Sequence, residues 1–385
     1  MENKKKITIF GATGSIGDST LKLIEKNRNK FQIHGITANK NISKLIDISK
    51  KFKPKNVVIK DSDQYKYLKN QLSGYDINIE CGEKSIVELS KQKVDCVIAG
   101  ISGVAGLSSV YTAAKSGQNI ALANKEALIA LGHLIMPLLK KNKSKIIPID
   151  SEHNAIFQCL KGSNLNEIDQ IILTASGGPF LNTPINKLDD VKVEQALTHP
   201  KWRMGKKITI DSATMMNKGL ELIEAYWLFG QKKQIIKAII HPESIVHGLV
   251  SFIDGSLIAH LAKADMRVPI SYALGFPKRL DWSPARLKIK DLNNLTFRKI
   301  NKNKFPCFAL ANEVLGGDPS SAIVLNAANE IAVENFLNHK ISFMKIPNLI
   351  SNCLELNYSK NVSALDDIID LDREIRQRAL QMLNV

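Results

Sequence analysis

The stretch that decides the fold is Ile7-Thr8-Ile9-Phe10-Gly11-Ala12-Thr13-Gly14-Ser15-Ile16-Gly17, close to the amino end. A β-branched run closes on three glycines in G-x-x-G-x-x-G spacing, and Ser19, Leu21 and Ile24 then continue with helical periodicity. Small residues between a strand and a helix let the backbone turn tightly and approach a pyrophosphate, whose charge the helix N-terminus stabilises. A structural turn could use the same glycines, but the strand-to-helix context favours a dinucleotide site.

Outward from that stretch, short apolar runs recur at Ile33–Thr37, Val57–Ile59, Cys96–Ala99, Ile120–Ala123 and Ile146–Ile149, separated by helical patterns such as Leu128, Leu131, Ile135 and Leu138. Strand and helix in alternation specify a parallel sheet wrapped by helices. The predicted organisation is α/β: a Rossmann-type parallel sheet over 1–150, an α+β catalytic domain over 151–275, a linker over 276–306 and a helical bundle over 307–385. In the middle region Ile171–Thr174, Ile208–Ile210, Ala238–Ile240, Ile245–Phe252 and Ser256–His260 read as strands, and Asp254-Gly255 as a hairpin turn. In the last region Leu325, Ala328, Ala332 and Phe336 form one apolar seam, and Ile368, Leu371, Ile375, Ala379 and Met382 another.

The 385 residues carry 53 Lys and Arg against 37 Asp and Glu, a formal charge of +16 with 44% hydrophobic residues. That is a packed globular composition too long for one ordinary core. The cations are dispersed in short runs, with no Arg-rich arm and no interleaved aromatics, so a lysine-rich surface is preferred to a nucleic-acid-binding one. Five cysteines form no C-x-x-C pair, as in a reducing compartment. Met1 to Lys6 leads straight into the first strand, and Ala127–Leu139 is interrupted by Gly132, His133 and Pro137. No membrane segment and a cytoplasmic location are expected.

An NAD-binding fold would end its second strand in a carboxylate for the ribose hydroxyl. Here that position reads Ala38-Asn39-Lys40-Asn41, two amides and a cation, which suits a 2′-phosphate and so NADP(H), with Lys40 as one more surface lysine the alternative. The run Ile146–Ile149 ends in Asp150-Ser151-Glu152-His153, at the strand edge where sheets of this kind place ligands. Asp150 and Glu152 share a side in extended geometry and suit a hard divalent cation; N-capping of a helix is the plainer role. After Ile208–Ile210, Ser212, Asn217, Lys218 and Glu221 offer an anion site and a third carboxylate, with Asn217, Lys218 and Glu221 on one helical face. Ser176-Gly177-Gly178-Pro179 adds a hydroxyl and backbone N–H groups, whereas Glu224 reads as an ordinary exposed or ion-paired acid. His199-Pro200-Lys201-Trp202-Arg203-Met204-Gly205 puts large side chains on a loop, which either packs down or closes as a lid.

Together the motifs G-A-T-G-S-I-G at 11, A-L-A-N-K-E at 121, D-S-E-H at 150, A-S-G-G-P-F at 175, H-P-x-W-x-M-G at 199, D-S-A-T-M-M-N-K-G-L-E at 211, H-P-x-S-I-V-H-G at 241 and L-N-A-A-N-E at 325 resemble the 1-deoxy-D-xylulose 5-phosphate reductoisomerase family. The resemblance runs in order over nearly the whole chain. Asn39, where the family pattern leads us to expect Gly, and Ala264, where it leads us to expect Pro, depart from it.

The resemblance implies an NADPH-dependent oxidoreductase of isoprenoid precursor synthesis that forms 2-C-methyl-D-erythritol 4-phosphate, a homodimer using Mn²⁺, Mg²⁺ or Co²⁺. It implies NADPH contacts from Thr13, Gly14, Ser15, Ile16, Asn39, Lys40, Asn41, Asn124, Glu126 and Gly205. Metal ligation falls to Asp150, Glu152 and Glu221. Substrate binding falls to Lys125, Ser151, Glu152, Ser176, His199, Ser212, Asn217, Lys218 and Glu221, with Lys125, Glu152, His199 and Trp202 as the catalytic set. The rival readings are a simple NADP-linked dehydrogenase of a phosphorylated sugar and, remotely, a nucleic-acid-binding protein.

Overall fold

A computed structural model describes residues 4–202, 204–230 and 232–383, so the first three residues and Arg203 of the tryptophan loop lie outside the described residues. The chain forms two compact units. The first comprises the chain up to Ala127, Leu134–Asn154 and Asp265–Pro284; the second comprises Leu128–His133, Ala155–Ala264 and the chain from Ala285 on.

In chain order the first stretch runs β1 (Lys5–Phe10), α1 (Ser15–Lys26), β2 (Phe31–Ala38), α2 (Ile42–Phe52), β3 (Asn56–Ile59), α3 (Tyr65–Gln71), β4 (Asn78–Cys81), α4 (Gly82–Lys91), β5 (Cys96–Ala99), α5 (Leu107–Lys115), β6 (Ile120–Leu122), α6 (Lys125–Asn142), β7 (Ile146–Pro148) and α7 (Ser151–Cys159). The seven strands make one sheet in the order β4-β3-β2-β1-β5-β6-β7, and every pairing is parallel. Order reverses beside β1, so the crevice outside its carboxyl end is where a ligand of a doubly wound sheet belongs. Ile7, Ile9, Ile36, Val57 and Ile98 are fully buried, because helices cover both faces of such a sheet. One strand escapes sequence reading: β4, Asn-Ile-Glu-Cys, is a short edge with no buried residue.

The second stretch continues with β8 (Ile168–Ala175), α8 (Val193–Ala196), α9 (Lys206–Ala213), α10 (Met216–Leu228), β9 (Ile236–Ile240), β10 (Val246–Phe252) and β11 (Leu257–Leu261). These strands form a sheet in the order β11-β10-β8-β9, antiparallel except between β8 and β9. After α11 (Arg267–Gly275), which belongs to the first unit, come α12 (Pro306–Val314), α13 (Pro319–Leu337), α14 (Lys345–Leu354) and α15 (Leu365–Leu383). The expected seams are buried at Leu325, Ala328, Ala332 and Phe336 and at Ile368, Leu371, Ile375 and Ala379, while Met382 is half-buried. The polar stretch after α11 holds one short 3-10 turn, Ile289–Leu292, and a single bridge in which Ile240 and Arg298 exchange both backbone hydrogen bonds at 2.9 Å. The contacts thus gather the middle strands and the C-terminal helices into one unit and split the stretch from 276 to 306 at Pro284, where three domains and a linker were expected.

Ile208–Ile210 is not a strand but lies inside α9. Its β-branched residues favour strand locally, yet Lys207 pairs with Asp211 one turn on at 2.7 Å, Thr209 Oγ1 donates to the Gly205 carbonyl at 2.8 Å, and Ile210 is fully buried. Tertiary burial overrides a weak local preference.

Glycine is obligatory at two points of the opening motif. Gly11 has φ of +78°, and a Cβ there would meet the Gly100 carbonyl oxygen at 2.8 Å; a Cβ on Gly17 would meet the backbone of Ala12 at 2.5 Å, because α1 packs directly on the turn. Gly17→Ala is expected to lower stability by about 1–3 kcal/mol, the range for overpacking a tight contact. Urea unfolding monitored by circular dichroism checks this, and an unchanged midpoint would show that α1 can move away freely.

Candidate functional site

In the first unit the glycine turn opens into a cleft of about 250 Å³ whose walls include Gly11, Thr13, Gly14, Asn39, Lys60 and Glu83. Gly14 is the N-cap of α1 and brings no side chain, so the free N–H groups of Ser15 and Ile16 are presented as an anion cradle. Lys44 Nζ donates to the Thr13 carbonyl at 3.2 Å and lies 3.4 Å from Asp18, tying the turn to α2; the sequence reading did not single it out among so many lysines. Asp18 sits in the first turn of α1, where an acid would repel a phosphate. A hydrogen bond from Lys22, with Lys44 nearby, holds its carboxyl below the usual range and supplies counter-charge.

Asn39, Lys40 and Asn41 are all exposed beyond β2. Asn41 is occupied as the N-cap of α2, its Oδ1 accepting from Lys44 N at 3.2 Å. Asn124 is likewise used by the fold. It is buried, caps α6 by accepting from Ala127 N at 2.9 Å, and donates to the carbonyls of Ile101 at 2.6 Å and Gly103 at 3.0 Å. Glu126 is half-buried in the first turn of α6.

β7 delivers Asp150 to the carboxyl edge of the same sheet. Its Oδ1 accepts from the backbone of Glu152 at 3.1 Å and His153 at 3.2 Å, which caps α7, while its Oδ2 pairs with Lys125 Nζ. The capping contacts and the pairing with Lys125 therefore use different oxygens. Asp150 and Glu152 offer carboxylate oxygens within 4.8 Å of each other, and Ser151 Oγ donates to Glu152 Oε2 at 2.5 Å. Oxygen donors of this hardness are the set that Mg²⁺ or Mn²⁺ takes.

In the second unit β8 ends at Ala175 and Ser176 follows it, and the left-handed Gly177 and Gly178, with φ of +83° and +67°, fold the loop onto α9, where a Cβ on Gly178 would lie 2.5 Å from the Ser212 carbonyl oxygen. The loop thus packs Gly178, two residues after Ser176, against the backbone of Ser212. Met215, itself left-handed at φ +61°, turns the chain into α10, and Asn217, Lys218 and Glu221 then fall on one face as expected. Lys218 and Glu221 are buried and ion-paired with each other. Asn217 Nδ2 donates to Glu221 Oε1 at 2.6 Å, which leaves its Oδ1 buried with no hydrogen-bond partner among the described residues. Glu224, expected to be exposed or ion-paired, is buried at 3% exposure.

His199 stands over this loop. Its Nδ1 accepts from the backbone N–H groups of Lys201 at 3.2 Å and Trp202 at 2.9 Å, so the neutral ring carries its hydrogen on Nε2, which lies 3.1 Å from Ser176 Oγ. Ser176 Oγ also accepts from Gly178 N at 3.2 Å. Both lone pairs are then occupied and the hydroxyl hydrogen points elsewhere, as a donor to an anion requires. Trp202 is half-buried, edge-on to His247 with ring centroids 6.3 Å apart, and Gly205 is the exposed N-cap of α9. Asp211, buried beside these groups, is held by Lys207 and by Asn329 Nδ2 at 2.9 Å, a partner from the L-N-A-A-N-E motif that spacing alone does not reveal.

Burial holds the His199 pKa below its usual value of about 6.5. The folded ring therefore resists protonation longer than the unfolded one, and its stabilising share is lost as pH falls below about 6.5. A protonated ring cannot accept the two backbone N–H groups, so the Trp202 loop should loosen on that side of the transition. Histidine NMR titration should give a midpoint for His199 below about 6.5 with a parallel change in Trp202 fluorescence; a midpoint at or above that value would contradict the bonding pattern.

The chain matches three family models: 1-deoxy-D-xylulose 5-phosphate reductoisomerase over residues 7–132, its C-terminal domain over 146–229, and the DXP reductoisomerase C-terminal domain over 261–378. The 1-deoxy-D-xylulose 5-phosphate reductoisomerase of Thermoanaerobacter pseudethanolicus is 45% identical over 97% of this chain and 98% of its own, and that of Clostridium perfringens 44% identical over 99% and 100%. Among solved structures, the Zymomonas mobilis reductoisomerase in complex with NADPH superposes with a TM-score of 0.94 at 39% identity, covering 99% of both chains. A DOX-P reductoisomerase in complex with NADPH, fosmidomycin and magnesium gives 0.94 at 40% identity, covering 99% of this chain and 98% of its own. With this agreement along its whole length, the chain belongs to the 1-deoxy-D-xylulose 5-phosphate reductoisomerase family.

Proposed function

We propose that this enzyme converts 1-deoxy-D-xylulose 5-phosphate to 2-C-methyl-D-erythritol 4-phosphate, by rearranging the carbon skeleton to a branched aldehyde and reducing that aldehyde with NADPH. The observation that carries the reading is the pairing of a glycine-turn cleft with a carboxylate and hydroxyl set at the strand ends, within a chain of this family. A plain sugar-phosphate dehydrogenase would need the cleft but not the three carboxylates.

The donor set fits a hard divalent cation. Asp150, Glu152 and Glu221 would hold it through carboxylate oxygens; Glu152 lies on α7, Glu221 on α10, and Asp150 immediately precedes α7. When bound, the cation supplies Lewis acidity toward the substrate oxygens, and NADPH supplies the hydride. Lys125, Ser151 and Glu152 would orient the oxygenated carbons, with Lys125 held in place through Asp150. Ser176, Ser212 and Lys218 would bind the phosphate, and the hydrogen His199 gives to Ser176 aims the serine hydroxyl at it. Asn217 would join them: one hydrogen of its Nδ2 goes to Glu221, and the second is the donor it would offer a phosphate oxygen. Trp202 would close over the substrate and exclude water. Thr13, Gly14, Ser15 and Ile16 would cradle the NADPH pyrophosphate through backbone N–H groups, and Asn39 with Lys40 would meet its adenosine end. Binding energy at the remote phosphate is what holds the reacting carbons in register.

Glu221→Gln should weaken Mn²⁺ binding by about tenfold or more and depress turnover in step, with NADPH affinity near normal. Calorimetric Mn²⁺ titration and a coupled NADPH assay, run with and without chelator, read the two effects separately. Thermal melting is recorded alongside, because the change removes the counter-charge of Lys218. Unaltered metal affinity in a folded variant would remove Glu221 from the ligand set, and product identity by NMR separates rearrangement from simple reduction.

The same reading makes the enzyme a cytoplasmic homodimer. No described helix is long and apolar enough to cross a membrane. β11 closes one side of its sheet as an edge strand with Leu257 and Ile258 exposed, the type of edge that proteins cover. Light scattering should give twice the chain mass, and Ile258→Lys should shift it toward the monomer.

A further inference from the structure

We propose that Lys60 is a second cation for the adenosine 2′-phosphate and that Glu83 competes with the phosphate for it, so that this pair sets the preference for NADPH over NADH. The inference rests on the cofactor reading given above and extends it to two side chains that no part of that reading uses.

β2 and β3 are parallel, with Ala38 opposite Ile59, so Asn39 and Lys60 leave the sheet side by side at its carboxyl edge. Two backbone hydrogen bonds fix them there, Lys60 N to the Ala38 carbonyl at 2.8 Å and Asp61 N to that of Asn39 at 3.3 Å. The end of the second strand is where a fold of this type decides between a ribose hydroxyl and a ribose phosphate. Both Lys60 and Glu83 line the cleft that begins at the glycine turn. Lys60 is thus anchored on the sheet at the deciding position, whereas Lys40 is on the exposed loop beyond it.

Lys60 Nζ lies 3.4 Å from Glu83 Oε2, and the two side chains are 37% and 57% exposed. An exposed pair at that distance is weak, so the ammonium is readily redirected to a phosphate dianion. Glu83 acts in the opposite sense. It repels the phosphate, and it is the carboxylate within the cleft that could accept from a free 2′-hydroxyl, as an acid does in NAD-binding folds. The two charges therefore pull selectivity in opposite directions from one wall.

Dissociation constants of the full-length enzyme for NADPH, NADH, 2′,5′-ADP and 5′-AMP, measured by fluorescence and calorimetry, test this. Lys60→Ala should weaken NADPH and 2′,5′-ADP by about fivefold and leave NADH and 5′-AMP within about twofold, with Lys60→Arg restoring most of the loss. Glu83→Gln should tighten NADPH and 2′,5′-ADP by about two- to threefold. If both variants bind all four ligands like the parent, Lys60 and Glu83 are an ordinary surface pair and the inference is overturned. If the parent itself binds 5′-AMP as tightly as 2′,5′-ADP, the NADPH reading fails first and takes the inference with it.

Discussion

The interaction on which the rest depends is the compensation of buried charge. An ion moved from water into the protein costs several kcal/mol unless a counter-ion and hydrogen bonds replace its hydration, and stripping one partner from a buried pair costs about 3–5 kcal/mol. A site built from carboxylates and lysines meets that cost before any ligand arrives. Asp150 is met by Lys125, Glu221 by Lys218 one turn earlier on its own helix, and Asp211 by Lys207 and Asn329. Away from the site the same rule joins α13 to α15, where Arg376 bridges Glu330 and Asp372 at 2.6 Å each. Burial there pushes the Asp372 carboxyl up, and the guanidinium offsets only part of that shift.

Charge compensation also governs the helix starts of the proposed site, where Lys125 and Lys218, cations that a helix N-terminus by itself disfavours, are offset by Asp150 and Glu221. Lys125, Ser151, Asn217 and Lys218 all fall in the first turn of a helix, where unpaired N–H groups favour anions and where a short polar side chain reaches the backbone. Asp150 shows the economy of this arrangement. One of its oxygens finishes α7 and the other faces Lys125, so the residue is fixed in orientation by the fold itself and is not left to find it on binding.

What could be read from the sequence follows from which forces act locally. β1 to β3 and β5 to β7 show as apolar runs because both faces of their sheet are covered, and the glycine turn shows because only Gly tolerates φ of +78° at Gly11 with a carbonyl 2.8 Å away. β4 does not show, since an edge strand with half-exposed residues needs no apolar run. Ile208–Ile210 misleads because three β-branched residues imitate a strand while an i,i+4 ion pair and burial hold them helical. The burial of Glu224 is likewise not legible locally, because it is decided by what packs over α10. The amide of Asn41 reads from the sequence as a polar residue after the second strand and Asn124 enters only through the family motif, while their commitment to capping depends on where a helix starts to within one residue. Lys44 and Lys60 could not be separated from their neighbours, because what distinguishes them is a carbonyl or a cleft contributed by a distant segment.

The surplus of +16 takes on a definite meaning from this. Several of the lysines that make it up are neither solvated decoration nor a patch for a polyanion. Lys5 Nζ donates to the carbonyls of Leu274, Gly275 and Phe276 at 3.4, 3.3 and 2.7 Å, closing the free end of α11, and Lys304 Nζ does the same for Leu181 at 2.7 Å and Thr183 at 2.5 Å. A long flexible ammonium is well suited to gather carbonyls that no helix or strand satisfies. Others pair with buried acids, and Lys44 donates to the Thr13 carbonyl of the glycine turn. Part of a net charge that looks like a statement about partners is in this chain a set of separate local tasks, each with its own acceptor.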